Sequence, residues 1–189
     1  MSQALQQVTT PLVALALDAD FVLPDSLDKA ANHLLVRSEA IGAQGYALGY
    51  VAGNGQLAYY KVGSALSGPA QGGARARVEQ YAEAAQQAWR AVLRVSALQS
   101  ALRLLPESID ASSWRVALSY ALLTQGVIDS LEQTDVVCEY VVDTVSQTQR
   151  EAQVAEAVRE LRQWDADHTR LCSDDFGLLS GFVRNTYAW

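Results

Sequence analysis

The chain has 189 residues, of which 50% are apolar and 19% charged, and its formal net charge is −7. This length and composition predict one folded domain, or one domain with a small appendage, that buries a full core and leaves some apolar surface for a partner. The chain is acidic and has only two lysines, Lys29 and Lys61. We therefore expect no direct nucleic-acid binding, because phosphate contacts need a clustered basic surface.

The same composition bears on the cellular compartment. No run of eighteen apolar residues is present, and the first ten residues are polar and lack a basic segment. We therefore expect neither a membrane span nor a signal peptide. The two cysteines, Cys138 and Cys172, do not make a secreted disulfide framework. These features predict a cytoplasmic protein with no membrane contact.

Residues 12–23 form an apolar run that suits either a buried strand or helical turns, and the sequence leaves both alternatives open. A proline then precedes Asp25 and Ser26, either of which is a typical N-cap, so a helix is expected to begin there. Its apolar stripe continues to Ile41, and the glycines that follow are expected to end it.

Residues 46–62 carry the clearest strand signal. Asn54-Gly55 is a favoured pair for a two-residue type I′ turn, because both positions need a positive φ. With that turn, Tyr50 is predicted to lie opposite Tyr59 in a β-hairpin. A glycine-rich segment follows. We therefore expect a small α/β portion at residues 1–66 and a connection at residues 67–74.

The segment from Arg75 to Leu105 has apolar residues at spacings of three and four throughout, and Pro106 follows it. This periodicity predicts one long helix. A second helix is predicted from Asp110 to Gly126, where apolar residues occur on every side, as in a buried helix.

Residues 127–163 are predicted to form a third long helix, or two helices. A β-branched cluster at residues 136–142 also suits a strand. Helix is favoured because four acidic residues recur on one helical face: Glu132, Asp135, Glu139 and Asp143.

The last predicted helix is short, is capped by Ser173-Asp174-Asp175, and ends in the aromatic residues Phe182, Tyr187 and Trp189. Aromatic residues are enriched at protein interfaces. The expected fold class is mainly α: a bundle of about four helices over residues 75–189, next to the small N-terminal α/β portion with its one hairpin.

The motif Asp18-Ala19-Asp20-Phe21-Val22 follows an apolar run and resembles the Asp-x-Asp-x-Thr/Val motif of haloacid-dehalogenase-type phosphotransferases. The resemblance implies that Asp18 attacks phosphorus and that Asp20 transfers the proton. It further implies that Thr124 supplies a hydroxyl and that Asp174 and Asp175 bind magnesium. The family's lysine is missing between Thr124 and Asp174.

The patterns together favour a non-catalytic protein–protein interaction module: an adaptor, an inhibitor or an assembly subunit. Its binding residues are expected to be the acidic face of Glu132, Asp135, Glu139 and Asp143 and the terminal Phe182, Tyr187 and Trp189, with the hairpin edge as a further surface. The expected partner is a protein with a basic or apolar surface, and no cofactor or metal is expected. The alternatives are a magnesium-dependent phosphotransferase or phosphatase, and a self-assembling structural subunit that forms a homo-oligomer.

Overall fold

The computed structural model describes residue 5 and residues 7–18, 20–53, 56–62, 72–105, 111–139 and 146–187. Within these ranges the strands are β1 (Leu12–Val13), β2 (Asp20–Val22), β3 (Ala40–Gly53), β4 (Gln56–Val62), β5 (Val92–Arg94) and β6 (Val127–Glu139). The helices are α1 (Pro24–Val36), α2 (Ala74–Ala84), α3 (Val95–Leu104), α4 (Ala111–Gln125), α5 (Gln147–His168) and α6 (Phe176–Tyr187), with a 3-10 turn at Ala88–Arg90.

The strands form one curled, mixed sheet centred on β3, in the order β1-β5-β3-β6-β2, and β4 also pairs with β3. The first half of β3 pairs with β5 at Gly42 and Ala43, and its second half pairs with β4 from Ala47 to Gly53. Both pairings are antiparallel, whereas β6 runs parallel to β3 along its other side. A strand of 14 residues is long enough to pair with two shorter strands at different positions along its length.

The predicted hairpin is confirmed. Strands β3 and β4 pair with Tyr50 opposite Tyr59, and the two rings are 6.4 Å apart between centroids. The turn residues Asn54 and Gly55, on which the prediction rested, lie outside the described residues. The strand β3 begins at Ala40, before the predicted start at residue 46.

The prediction of a mainly α helical bundle is wrong. Strands β5 and β6 both come from residues 75–189, and both pair with β3. The sheet therefore joins residues from the two sides of the predicted connection at 67–74, of which residues 72–74 lie in the described ranges.

The predicted helix from Arg75 to Leu105 is also wrong, because the chain divides there into α2, the 3-10 turn, β5 and α3. Helix α2 ends where Ala85 adopts a left-handed conformation, with φ 52° and ψ 37°. Strand β5 then buries Leu93 completely against the sheet. A Cβ on Gly42 would lie 2.8 Å from the Leu93 side chain, so glycine there permits the close pairing of β3 with β5.

Residues 127–139 form β6 instead of the predicted third helix. The pairing of β3 with β6 contains bulges: between the pairs Gln44–Ser130 and Tyr46–Thr134, one residue lies on β3 but three lie on β6. Three members of the predicted acidic helix face, Glu132, Asp135 and Glu139, therefore lie on a bulged strand and not on a helix. Helix α5 begins afterwards with a capping box, in which the Ser146 hydroxyl accepts from the Gln149 backbone N–H.

The other predicted elements are present with shifted ends. Residues 12–23 contain two short strands, β1 and β2. Helix α1 begins with Pro24 at its first position and Leu23 as its N-cap, so neither Asp25 nor Ser26 is the cap. It ends at Val36, before the predicted stop. Helices α4 and α6 lie where the sequence predicted them.

The main core lies between the sheet and helices α2, α4, α5 and α6. Its largest fully buried side chains are Trp89, Tyr120 and Phe182. The rings of Tyr120 and Phe182 pack edge to face, with centroids 5.6 Å apart. Within the described ranges, none of the helices combines the length and the apolar character that a bilayer crossing requires.

Candidate functional site

Three residues of the phosphotransferase-like motif, Asp20, Thr124 and Asp175, each contact different partners. Asp18 lies in a turn before β2. The Asp20 carboxylate accepts a hydrogen bond from the Leu17 backbone N–H at 2.8 Å and pairs with the Arg90 guanidinium at 2.8 Å. The Asp20 side chain is only 2% exposed. Its carboxylate is therefore engaged inside the protein by these two contacts.

Thr124 and Asp175, from the later part of that motif, also have partners within the protein. The Thr124 hydroxyl donates to the carbonyl of Ala121, one turn earlier in α4. Asp175 pairs with Arg75 at 2.5 Å, and Asp174 precedes it in the loop before α6. In the ranges that the structure describes, no group of three or more His, Cys, Asp or Glu residues is arranged to hold a metal ion.

The acidic residues predicted to bind a partner do not share a face. Glu132 and Glu139 are exposed on β6, whereas Asp135 is buried. Asp143 lies outside the described residues. Asp135 instead accepts hydrogen bonds from Gly45 and Gln133 within the sheet.

The terminal aromatic residues also have different environments. Phe182 is fully buried in the main core, and its contact with a partner stays a prediction. The side chain of Tyr187 and all of Trp189 lie outside the described residues.

A small cleft lies where the β6 bulge faces the segment that links α2 to the 3-10 turn. It has room for a volume of about 20 Å³, enough for one water-sized group. Its walls come from three segments: Gln44, Gly45, Tyr46 and Ala47 of β3; Ala85, Gln86, Gln87 and Arg90 of the turn; and Asp135 and Val136 of β6. We call this the bulge cleft.

Gln44 is the most unusual residue of the bulge cleft. Its side chain is buried, with 3% of the residue exposed. The Nε2 of Gln44 donates to the Oε1 of Gln86 at 2.9 Å, but the Oε1 of Gln44 has no hydrogen-bond partner among the described residues. An unsatisfied buried acceptor is rare in a native protein and indicates a water, an ion or a ligand.

Arg90 also lines the bulge cleft, and its positive charge is balanced by an ion pair with Asp20. The guanidinium pairs with Asp20, its Nε donates to the Oε1 of Gln87 at 3.0 Å, and it stacks over the Trp89 ring at 4.4 Å from the centroid. Gln87 in turn donates to the carbonyl of Thr186 at 3.2 Å. These contacts fix the turn against β2 and the end of α6.

Asp135 supplies the second acceptor of the cleft. Its carboxylate accepts from the Gly45 backbone N–H and, at 2.8 Å, from the Nε2 of Gln133. Burial raises the pKa of Asp135, and these two hydrogen bonds only partly oppose that effect. Among the described residues it forms no ion pair with a cationic side chain, in contrast to Asp20.

The backbone around the bulge cleft is closely constrained. A Cβ on Gly45 would lie 2.2 Å from the carbonyl oxygen of Gln133, so only glycine fits beside the bulge. Ala85 has a positive φ, which costs a non-glycine residue about 1–2 kcal/mol. Bulges and strained residues are both over-represented at functional sites.

A second and larger depression lies between α4 and α5, with a volume of about 510 Å³. This is within the range of about 300–1,000 Å³ that is typical of ligand pockets. Its floor is apolar and comes from Val116, Ala117, Ala157, Leu161 and Trp164. Its rim is polar and comes from Ser113, Arg159, Glu160, Gln163, Asp167 and His168. We call this the α4–α5 groove.

Trp164 is held rigidly at one end of the α4–α5 groove. Its indole Nε1 donates to the carbonyl of Leu104 at 2.8 Å. The ring stacks on His168 at 4.9 Å between centroids, with the planes 15° apart, and the Nδ1 of His168 lies 2.8 Å from the Trp164 carbonyl oxygen. The groove therefore has a fixed aromatic wall.

Comparison with known proteins adds no family: no protein-family model matches the chain, and no curated protein matches it significantly.

Sequence reasoning missed both sites. Gln44, Gln86 and Gln87 are ordinary residues in sequence, and only the pairing of distant segments brings them together. Trp164 carried a weak signal, since a tryptophan on a polar helix often marks a contact surface.

Proposed function

We propose that the protein is a non-catalytic protein–protein interaction module whose α4–α5 groove receives one amphipathic helix with basic residues along its edges. The observation that supports this most is the 510 Å³ groove with an apolar floor and a polar rim. Helix-in-groove binding uses this arrangement, in which apolar side chains of the partner enter the groove at helical spacing.

The charge of the rim supports a basic partner. Glu160 and Asp167 lie on α5 at the rim, and Glu160 makes no ion pair within the described ranges. Arg159, which is next to Glu160 in sequence, already pairs with Glu156. With a formal net charge of −7 for the chain, the long-range field also attracts a basic partner.

The experiment uses a synthetic helical peptide that carries leucines on one face and lysines on both edges. We expect calorimetry to detect binding to the wild-type chain, and we expect the affinity to fall as salt is added, because exposed charges are screened. A control peptide with glutamates in place of the lysines is expected to bind at least about tenfold more weakly, since like charges then face the rim.

Charge reversal locates the site. The double variant Glu160→Lys, Asp167→Lys should weaken the lysine peptide by about tenfold or more. The matched control, Glu151→Lys, reverses an exposed charge on the same helix away from the groove and should leave the affinity unchanged. Equal binding of the peptide to all three proteins would reject the groove as the site.

The proposal includes a cytoplasmic location. It is supported by the two cysteines, Cys138 and Cys172, which are both free thiols, as expected in a reducing compartment.

A second candidate function, self-assembly, is favoured by the outer edge of the hairpin. Leu57 and Tyr59 of β4 are 55% and 56% exposed, and Lys61 is the one charged residue of this strand. An exposed edge strand with few charges can pair with a second copy. Light scattering tests this: the wild type is expected to be dimeric and Leu57→Lys monomeric, whereas a monomeric wild type would exclude it.

A further inference from the structure

We infer that the bulge cleft is a binding site for the ammonium group of a small amine, which donates hydrogen bonds to Gln44 and Asp135. This inference concerns a different part of the molecule from the α4–α5 groove and does not depend on it.

The size of the cleft limits the group that enters. A volume of about 20 Å³ holds one heavy atom with its hydrogens, such as a water or an ammonium. A carboxylate, a phosphate or an aromatic ring needs more room. The rest of a small amine would therefore remain at the mouth of the cleft.

The hydrogen-bonding capacity of the walls selects a donor. The Oε1 of Gln44 is a buried acceptor with no partner among the described residues. The carboxylate of Asp135 accepts one hydrogen bond at each oxygen and can accept more, since an ionised carboxylate offers about four acceptor positions. Both residues thus offer unused acceptor positions, which an N–H group fills.

The charge of the walls selects a cation. Arg90 is neutralised by Asp20 at 2.8 Å, whereas Asp135 is buried without an ion pair in the described ranges. The lining therefore carries one uncompensated negative charge when Asp135 is ionised. An ammonium group supplies the missing cation, and a charged donor forms a hydrogen bond about twice as strong as a neutral one.

The experiment titrates the full chain with methylammonium chloride at constant ionic strength and follows the ¹H–¹⁵N NMR signals of the Gly45 backbone amide and of the Gln44 and Gln86 side-chain amides. We expect saturable shifts that are confined to the bulge cleft. Tetramethylammonium chloride, which has the same charge but no N–H and a larger radius, should produce none. Potassium chloride should not reproduce the shifts.

Two variants test the roles of the acceptors. Gln44→Leu removes the unpaired acceptor at similar volume and should weaken methylammonium binding by about tenfold or more. Asp135→Asn removes the charge and should abolish binding. Gln125→Leu, which changes an exposed glutamine on α4, is the matched control and should bind as the wild type does.

Three results would overturn the inference. The first is the absence of saturable shifts in the folded wild type. The second is an equal response to potassium, which would indicate a metal-cation site. The third is a slowly exchanging water near Gln44 that methylammonium does not displace, which would make the cleft a structural water site only.

Discussion

Asp165 and Gln44 are both buried polar residues, but their surroundings differ. Asp165, at the end of α5, is fully buried. Its carboxylate accepts from two hydroxyls and two backbone amides, those of Tyr120, Thr169, Leu171 and Cys172. Gln44 has one partner, Gln86, and an unpaired oxygen.

This contrast indicates that the Asp165 carboxylate stabilises the fold, whereas the Gln44 amide has an oxygen that a ligand can use. A carboxylate with four donors is a complete network that fixes α5 to α4 and to the loop before α6. A half-satisfied amide adds little to the fold, because its unmade hydrogen bond offsets the one it makes. Substitutions can test this contrast directly.

The largest effect is expected from Asp165→Asn. An amide in place of the carboxylate turns one acceptor into a donor that faces existing donors, so the free energy of unfolding should fall by about 3 kcal/mol. Urea unfolding measures this. The control Asp167→Asn, on the exposed side of the same helix, should change stability by no more than about 0.5 kcal/mol. Equal effects of the two substitutions would remove the contrast.

The pH dependence of the Asp165 effect has a definite sign. Burial alone raises the pKa of Asp165, but the hydrogen bonds from Thr169, Cys172, Tyr120 and Leu171 outweigh it and hold the pKa below its ordinary value. Its stabilisation is thus complete above the unfolded pKa of about 3.9 and is lost as the pH falls through the folded pKa. The stability difference between wild type and Asp165→Asn should be constant from pH 7 to about pH 5 and shrink at lower pH. A difference that grows in acid would contradict this.

The next largest effect is expected from Gly45→Ala, in the wall of the bulge cleft. The new Cβ would lie 2.2 Å from the Gln133 carbonyl oxygen, so the bulge must shift, with a loss of about 2–3 kcal/mol. The control Gly181→Ala has no atom within 4 Å of its new Cβ and lies in α6. It should gain about 0.5–1 kcal/mol from the better helix propensity of alanine.

Local signals account for the parts of the fold that the sequence predicts. The hairpin follows from Asn54-Gly55 between apolar runs, and α4 follows from the apolar segment between Asp110 and Gly126. Strand β6 could not be recognised because its bulge adds residues: one residue of β3 lies opposite three of β6. The spacing of Glu132, Asp135 and Glu139 therefore imitates a helical period of three to four, although the segment is extended.

The break between α2 and α3 had no local signal either. Ala85 is a strong helix former, yet it adopts a left-handed conformation, and Leu93 is held in β5 by its pairing with residues fifty positions earlier. Long-range pairing overrides local propensity there. The bulge cleft depends on the same pairings, which explains why its glutamines could not be chosen from the sequence.

A small effect is expected from Gln44→Leu on stability, in contrast to Asp165→Asn. The substitution removes a hydrogen bond to Gln86 and also removes an unpaired acceptor, so the free energy of unfolding should change by no more than about 1 kcal/mol. Thermal and urea unfolding without amine measure it. A loss as large as that of Asp165→Asn would mean that Gln44 is a structural residue, and the contrast between the two would fail.

The smallest effect is expected from Ala85→Gly, and it separates strain from function. Glycine adopts φ 52° without steric cost, and after its extra unfolded-state entropy the net gain should be about 0.5–1 kcal/mol. Ala84→Gly, one residue earlier in α2, should instead lose about 1 kcal/mol, because its backbone is helical. Methylammonium affinity should fall in Ala85→Gly, since a freer turn holds Gln86 less firmly against Gln44. If stability rises while the affinity is unchanged, the strain at Ala85 serves the chain reversal alone and the cleft does not depend on it.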